Sequence, residues 1–285
     1  MIELSVIIPT CNRGDLLQQA VMSVVAQQLA NYEIIIVDDS TTPQQPLFLQ
    51  QLMVSAPIRY VVNNGAHGAA NARNFGVQQA QGVFITFLDD DDLYMPGRLH
   101  NMLQVMRSGD YVFVSSGRFY QLNDFNSVQQ VPRQLQGVVS LTDIYQANDI
   151  DIGFMLKRDT FLALKGFDNS FKNLEDWDFV IRMAQLGNGY KLPRVDYCVN
   201  IATNRPRVSD NDWIGYQQIL ERYQNSFGPA WAAYITASIY RLKKIHSPLP
   251  YLRICFHSKS ITPFFEFIKM TLKRSHALLF SKSEK

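Results

Sequence analysis

Four consecutive aspartates, Asp89, Asp90, Asp91 and Asp92, follow an uncharged apolar run over residues 83–88. The run predicts a strand that is buried on both faces. Like charges on adjacent residues repel one another, so they stay ionised only beside water, a base or a divalent cation. Hard oxygen ligands at the carboxyl end of a parallel strand suit a magnesium- or manganese-diphosphate complex. The alternative interpretation is a solvated acidic turn.

Two earlier predicted strands also end in polar side chains. The segments that follow them are Pro9-Thr10-Cys11-Asn12-Arg13 and Asp38-Asp39-Ser40. In a parallel sheet these ends meet at the edge where ligands bind. A carboxylate of Asp38 or Asp39 could accept hydrogen bonds from a base or ribose there, or could instead cap the following turn.

A second acidic cluster, Glu175-Asp176-Trp177-Asp178, begins a predicted helix. Asp178 and Arg182 are four residues apart on this helix, so we expect them to pair. Glu175 shares that helix face, whereas Asp176 points elsewhere. A carboxylate at a helix start without an obvious partner is a candidate general base.

Arg73 is the cation best placed to meet these acids, because it follows the glycine-bearing loop of residues 63–68. Its planar donor fork could bind a diphosphate or a base carbonyl. A surface ion pair is the alternative. The chain has neither a Walker-type phosphate loop nor a G-x-G-x-x-G after the first strand, so nucleotide recognition would depend on side chains and a metal.

Strands and helices alternate through the first half of the chain. Predicted strands cover Leu4–Ile8, Glu33–Val37, Ile58–Val62 and Val83–Leu88, and predicted helices cover Asp15–Gln28, Ala69–Ala80 and Pro96–Met106. This alternation predicts an α/β fold with a mostly parallel central sheet and flanking helices. Residues after 210 read as mostly helical.

Charge is distributed unevenly along the 285 residues. Residues 1–227 carry 17 Lys and Arg against 23 Asp and Glu, whereas residues 228–285 carry 10 against 2. We therefore expect an acidic domain over 1–227, divided into halves 1–107 and 108–227, and a basic helical extension over 228–285. Three widely spaced cysteines argue against disulfides or a zinc site and favour the cytoplasm. We expect no nucleic acid partner.

Short motifs in this order make the chain resemble family 2 glycosyltransferases of GT-A fold over about residues 3–210. The motifs are Ser5-Val6-Ile7-Ile8-Pro9-Thr10-Cys11-Asn12-Arg13, Ile35-Ile36-Val37-Asp38-Asp39-Ser40, Ala72-Arg73-Asn74-x-Gly76, Leu88-Asp89-x-Asp91-Asp92, Gly166-Phe167-Asp168 and Glu175-Asp176-x-Asp178 with Arg182. The resemblance implies an inverting transferase that uses a nucleotide-diphospho-sugar, most often UDP-linked, and builds a surface polysaccharide or glycolipid.

Within this resemblance, Asp39 would contact the uracil, and Thr10 and Arg73 would help to hold the nucleotide. Asp176 would be the catalytic base. The whole expected set for the nucleotide-sugar is Pro9, Thr10, Asn12, Arg13, Asp38, Asp39, Arg73, Asp89 and Asp90. Contacts with the acceptor are expected from Glu175 and Trp177. Arg205 and Arg207 lie in the loop Thr203–Ser209, which could close over the diphosphate or could instead be a solvated basic loop.

The resemblance also implies a divalent cation, manganese or magnesium. Asp89 and Asp91 would form the D-x-D pair, with Asp91 the direct metal ligand. Asp90 departs from the family pattern, which often has a small residue there, and this leaves the choice among the three carboxylates open. We expect Asp92 to turn the chain into the helix that begins at Pro96 rather than to touch substrate.

The basic extension ends in a predicted helix that begins at Thr262-Pro263. One face would carry Phe264, Phe267, Ile268, Thr271 and Leu272, and the opposite face Glu266, Lys269 and Lys273. With the upstream cluster of Arg241, Lys243 and Lys244, this helix could lie on the inner face of the cytoplasmic membrane and meet a lipid-linked acceptor. Packing on the catalytic domain or on a second subunit of a homo-oligomer is the alternative.

Two other functions also fit clustered acids. A nucleotidyltransferase would use a metal, but it should carry a glycine- and lysine-rich loop near the N-terminus, and residues 9–15 contain no lysine. An inactive sugar-nucleotide-binding module would be expected to have lost the metal acids or the base, and this chain keeps both.

Overall fold

The computed structural model describes residues 1–122, 127–131, 134–201 and 211–280, with side chains described up to residue 272. The chain forms two compact units. The first comprises Met1–Asn169 and Glu175–Arg205, and the second comprises Ser170–Leu174 and Pro206–Lys285. The predicted domain boundary after residue 227 lies downstream of this division and remains a prediction.

The first unit contains one ten-stranded sheet, counted over the described residues. Its strands are β1 (Leu4–Thr10), β2 (Tyr32–Asp38), β3 (Ile58–Val62), β4 (Phe84–Phe87), β5 (Leu93–Tyr94), β6 (Phe113–Leu122), β7 (Ser127–Gln130), β8 (Gly137–Val139), β9 (Met155–Lys157) and β10 (Gly189–Ile201). Their order is β3-β2-β1-β4-β9-β6-β10-β5, with β7 beside β6 and β8 beside β10. β1 to β4 pair in parallel, whereas β9 is antiparallel to both β4 and β6. The α/β class is confirmed, and the second half makes the sheet mixed.

The parallel part of the sheet brings the predicted polar segments to one edge. Thr10 at the end of β1 pairs in register with Asp38 at the end of β2, and Ile7 of β1 pairs with Phe87 of β4. Every residue of β1, β2 and β4 is buried, as their apolar sequences predict. Val83 is the exception to the predicted buried run, since it precedes β4 and is exposed.

The helices of the first unit occupy the connections between strands. They are α1 (Gly14–Val25), α2 (Leu47–Leu52), α3 (Ala69–Gln79), α4 (Arg98–Ser108), α5 (Leu141–Ile144), α6 (Arg158–Ala163) and α7 (Glu175–Leu186). α3 packs on β1 and β2. The approach is closest at Gly76, where a Cβ atom would lie 2.5 Å from Ile7 Cγ2 and 3.0 Å from Val37 Cγ2. Only a glycine allows the helix to lie so near the sheet.

The predicted start of α4 at Pro96 is wrong. The helix begins at Arg98, and the preceding Gly97 has a left-handed backbone with φ of 81°. That conformation cannot continue a right-handed helix, so Pro96 lies in the turn before it.

The second unit contains the helices α8 (Asp212–Leu242), α9 (Leu249–Ser258) and α10 (Thr262–Phe280), which pack against one another. α8 is interrupted at Gly228, whose φ of 82° and ψ of 178° are not helical, and Pro229 follows. The predicted boundary after residue 227 coincides with this interruption. Within the described part of the chain, helices of the length and apolarity needed to cross a membrane are absent.

The inward face of the terminal helix α10 matches the predicted apolar face only in part. Phe264, Phe267 and Thr271 are half-buried, and the ring of Phe267 lies 5.3 Å from that of Tyr251. Glu266 is only 2% exposed and accepts hydrogen bonds from Arg241 Nε at 2.6 Å and Lys269 Nζ at 2.5 Å. Ile268 and Leu272, predicted for the apolar face, are exposed instead. A buried carboxylate is tolerated only with such partners. Periodicity places Lys269 on the same helix face as Glu266, but it does not indicate the contact with Arg241 of α8.

Candidate active site

The loops after β1 and β4 are joined through two of the four aspartates. Thr10 Oγ1 donates to Asp90 Oδ2 at 2.7 Å, and Arg13 Nη1 lies 3.0 Å from Asp90 Oδ1 and 2.8 Å from Asp91 Oδ2. Asp90 is buried, and this burial raises the pKa of its carboxyl to about 6 despite the opposing effects of Arg13 and Thr10. Asp90, which departs from the family pattern, therefore fastens these two loops together.

Arg73 joins the two acidic clusters. Its Nη2 donates to Asp89 Oδ1 at 2.5 Å, and its Nη1 donates to Glu175 Oε1 at 2.8 Å. The guanidinium also lies over the ring of Phe167, 5.9 Å from the centroid. The Arg73 side chain is only 6% exposed, so the alternative of a surface ion pair is wrong and the pairing is an internal one. The start of α7 is thereby held beside the acids that follow β4.

Asp176 lies at this junction with a perturbed carboxyl. Asn148 Nδ2 donates to Asp176 Oδ2 at 3.1 Å, and the Trp177 backbone N–H donates to Asp176 Oδ1 at 2.8 Å. Burial, and then the charge of Glu175, raise the pKa of Asp176 to about 7. A carboxylate with this pKa can take up a proton efficiently near neutral pH.

Asp38 caps the turn that follows β2, which is one of the two roles predicted for it. It is buried, its Oδ1 accepts the Ser40 N–H at 2.9 Å, and its Oδ2 accepts the Tyr60 hydroxyl. Burial and this contact with Asp38 raise the pKa of Tyr60. The carboxylate thus caps the turn after β2 and ties it to β3.

Asp39 organises the loop between β3 and α3. Its Oδ1 accepts from Asn63 Nδ2 at 2.7 Å, its Oδ2 accepts the Gly68 N–H at 2.7 Å, and His67 Nδ1 lies 3.2 Å from Oδ1. The backbone N–H of Asp39 donates to the Thr10 carbonyl at 2.8 Å. Asp39 is therefore fixed at the edge where β1, β2 and β3 end.

Asp92 was predicted to turn the chain into a helix at Pro96, but it makes tertiary contacts with β10 instead. Buried Asp92 accepts the Tyr197 hydroxyl at 2.8 Å and the Asn200 N–H at 2.9 Å, which fastens β10 to the acidic run. Burial raises the pKa of Asp92. The four adjacent carboxylates therefore coexist because Asp89 and Asp91 face arginines, whereas the pKa values of Asp90 and Asp92 are raised.

Asp89 and Asp91 have suitable chemistry for a divalent cation. They present hard oxygen atoms, and their side chains are 34% and 25% exposed, whereas Asp90 and Asp92 are buried. Magnesium commonly uses one or two protein carboxylates and completes its shell with water and substrate phosphates. Groups of three or more His, Cys, Asp or Glu placed to hold a metal are not found in residues 1–122, 127–131, 134–201 and 211–280. Asp89 and Asp91 therefore fit a site in which two carboxylates share the cation with a diphosphate.

The other residues predicted for the site differ in how buried they are, and two of them lie outside the described residues. Pro9 is buried within β1, and exposed Asn12 has a left-handed backbone with φ of 57°. Trp177 is 1% exposed and donates from Nε1 to the Ile144 carbonyl at 2.8 Å, so its side chain packs in the core rather than facing an acceptor. Arg205 and Arg207 lie outside the described residues.

One predicted contact of α7 is confirmed, and one partner in the site was missed. Arg182 Nε donates to Asp178 Oδ2 at 2.9 Å, as their spacing predicts. Asn148, the partner of Asp176, lies in a loop with no recognisable motif. No local sequence signal identifies it.

Most of the site lies within the part of the chain that matches a known family, whereas Glu175 and Asp176 lie beyond that part. The sequence profile described as Glycosyl transferase family 2 matches residues 5–162, more than half of the chain. The chain belongs to glycosyl transferase family 2. This family 2 glycosyltransferase is 30% identical over 186 residues to an uncharacterized glycosyltransferase of Haemophilus influenzae, and the match covers 64% of this chain and 62% of that relative, less than two thirds of its length.

A second relative has a named activity. The family 2 chain is 31% identical over 194 residues to the Escherichia coli UDP-Glc:alpha-D-GlcNAc-diphosphoundecaprenol beta-1,3-glucosyltransferase WfaP, covering 66% of this chain and 71% of the relative. The crystal structure of S. aureus TarS 1-349 in complex with UDP-GlcNAc matches with a TM-score of 0.66 at 18% identity, covering 87% of this chain and 74% of the other. The resemblance drawn from the sequence motifs is confirmed, and the fold is shared with TarS.

Proposed function

We propose that this glycosyltransferase moves a sugar from a UDP-linked donor to a hydroxyl of a saccharide or lipid-linked saccharide, with inversion at the anomeric carbon. The proposal rests chiefly on Arg73, which contacts both Asp89 and Glu175. Through this one guanidinium, an acidic run suited to a metal-diphosphate lies beside Asp176, whose pKa is raised to about 7.

In the proposed reaction, the Asp176 carboxylate accepts the proton of the acceptor hydroxyl. The acceptor oxygen forms a bond to the anomeric carbon while the bond from that carbon to the diphosphate oxygen breaks. A single in-line displacement of this kind inverts the configuration. Asn148 holds one oxygen of Asp176 at 3.1 Å and so limits how the carboxylate can rotate. Binding of both substrates in one cleft would supply the orientation that the displacement requires.

Asp89 and Asp91 would hold a manganese or magnesium ion. When bound, that ion would neutralise negative charge on the departing diphosphate. Thr10, Arg13 and Asp90 would keep the Asp91 loop in position, since they connect it to the end of β1. Asp39 would stand at the nucleoside end of the donor, beside the ends of β1 and β3.

The donor and acceptor classes are suggested by relatives as well as by chemistry. WfaP is named for a UDP-linked donor and a diphosphoundecaprenol-linked acceptor. A lipid-linked acceptor of this type would be met at the inner face of the cytoplasmic membrane, where we propose that this enzyme works in surface polysaccharide or glycolipid synthesis. The donor sugar would be set by side chains outside the short shared motifs.

A panel of UDP-, GDP- and dTDP-sugars with and without manganese, read by isothermal titration, would test the donor class. We expect one UDP-sugar to bind tightly only with the metal. In transfer assays with that donor, Asp176→Asn should lower turnover by about a hundredfold or more while donor affinity stays nearly unchanged. Asp91→Ala should instead weaken metal-dependent donor binding.

Asp159→Asn, at an exposed position in the first turn of α6, is a matched control that should leave both quantities unchanged. Proton NMR of the product should show inverted anomeric configuration. Near-normal turnover by Asp176→Asn would refute its role as base. Metal-dependent donor binding without transfer to any saccharide or lipid-linked acceptor would favour an inactive sugar-nucleotide-binding module.

A further inference from the structure

Helix α9 exposes a stripe of large apolar side chains. Leu249, Leu252 and Phe256 are 72%, 48% and 84% exposed, and their spacing of three and then four residues places them on one side of the helix. Arg253 and His257 are exposed beside them. Amphipathic helices of globular proteins usually bury their apolar side, whereas this apolar stripe faces solvent beside an arginine.

Helix α10 repeats the pattern. Phe265, Ile268 and Leu272 are exposed with the same spacing, and Ile261 is exposed in the connection before the helix. Among the described residues, seven of the eighteen exposed large apolar side chains fall within residues 249–272. Scattered exposed apolar residues need no explanation, but such a concentration marks an interaction surface.

The charge around these stripes has one sign. Between residues 228 and 280 Glu266 is the sole acidic residue in the sequence, and it is buried against Arg241 and Lys269. Among the side chains described in this segment, the exposed lysines and arginines are Lys243, Lys244, Arg253, Lys259 and Lys269. The surface that carries the apolar stripes therefore has no exposed carboxylate within the described part of this segment.

We propose that the solvent-facing sides of α9 and α10 form a docking surface for an anionic lipid bilayer. Apolar side chains would enter the boundary between headgroups and acyl chains, and the lysines and arginines would meet lipid phosphates. A second copy of the chain fits this surface poorly, because it would set one basic face against another. The inference does not depend on the proposed function, since lipid binding is measurable without a donor or an acceptor.

Flotation of the full chain with two kinds of vesicle tests the proposal. We expect the protein to float with vesicles of phosphatidylcholine and phosphatidylglycerol, to float far less with phosphatidylcholine alone, and to be released as salt rises. The variant Leu252→Ser/Phe256→Ser/Phe265→Ser should lower the partition coefficient by at least about tenfold, because burial of even one such side chain is worth about this factor. Arg253→Gln/Lys259→Gln should reduce binding to the anionic vesicles only.

The control variant Leu47→Ser/Val54→Ser removes two exposed apolar side chains of the first unit and should float like the wild type. Phe256→Ser alone, at the most exposed of the three positions, guards against misfolding of the triple variant, and circular dichroism would confirm both folds. Failure of the wild type to float with anionic vesicles would overturn the proposal. It would also be overturned if the triple variant floated normally, or if light scattering showed that the wild type is a dimer and the triple variant a monomer.

Discussion

Replacement of Arg73 by methionine tests whether one buried guanidinium holds the two acidic clusters together. Methionine keeps much of the apolar volume beside Phe167 but removes both the 2.5 Å contact with Asp89 and the 2.8 Å contact with Glu175. Arg73 Nε has no hydrogen-bond partner among the described groups, so its loss leaves no acceptor unpaired. The cost of the substitution therefore comes from the two carboxylates.

Removal of one partner of a buried ion pair costs about 3–5 kcal/mol. Asp89 is a third exposed and can be rehydrated, so we expect a cost at or just below the lower limit of this range, about 2–3 kcal/mol, at neutral pH. For a chain of this size the melting temperature would fall by about 4–12 °C. Differential scanning fluorimetry and urea unfolding would measure both quantities.

The loss should also depend on pH. Arg73 lowers the pKa of Asp176, so without it this pKa would rise above its wild-type value of about 7. Between the Asp176 pKa of the wild type and that of the variant, the folded variant would bind more protons than the folded wild type. The destabilisation should therefore grow as pH rises through about 7. Each unit of difference in pKa would add about 1.4 kcal/mol. At pH 5.5 Asp176 is protonated in both proteins, so the destabilisation should be smaller than at pH 8.5.

Arg107→Met is the matched control, because Arg107 pairs with Glu3 at 2.7 Å but lies on the surface. We expect no resolvable change in its unfolding midpoint at either pH. If Arg73→Met were as stable as Arg107→Met, or equally destabilised at pH 5.5 and pH 8.5, the reasoning about the shared guanidinium would be refuted.

Two further predictions concern packing and catalysis. Gly76→Ala should destabilise the protein by about 1–3 kcal/mol in urea unfolding, because its Cβ would overlap Ile7 at 2.5 Å, whereas Gly14→Ala, with open space around its Cβ, should not destabilise it. An equal effect of the two would contradict the close packing of α3. The kcat/KM for transfer should rise with pH to a plateau above about 7 as Asp176 ionises. Glu175→Gln should lower the midpoint of this rise, because it removes a neighbouring negative charge that raises the pKa of Asp176. A rate that falls over this range would exclude Asp176 as the base.

Local sequence patterns were sufficient for the parallel half of the sheet. Largely apolar runs predicted β1, β2 and β4, because a strand covered on both faces needs apolar residues at nearly every position. The same reasoning predicted that polar segments would meet at the strand ends, and Thr10 does contact Asp90 there. The pairing of Asp178 with Arg182 was predictable because both lie one turn apart on one helix.

Other features depend on residues distant in sequence. The partners of Arg73 lie 16 and 102 positions away, and Asn148 reaches Asp176 from a loop without a motif. The antiparallel insertion of β9 between β4 and β6 likewise leaves no short-range pattern, since pairing direction is set by the path of the whole chain.

By itself, the sequence determined the α/β class, the family and the chemical types of residue at the strand ends. The tertiary structure decided the different roles of the acids. Asp90 and Asp92 are buried and connect the acidic run to β1 and β10, whereas Asp89 and Asp91 stay partly exposed. It also decided that Glu266 faces inward and that Phe265 and Leu272 face solvent. Residue type and periodicity are local properties, but burial and ion pairing depend on which distant side chains arrive at the same place.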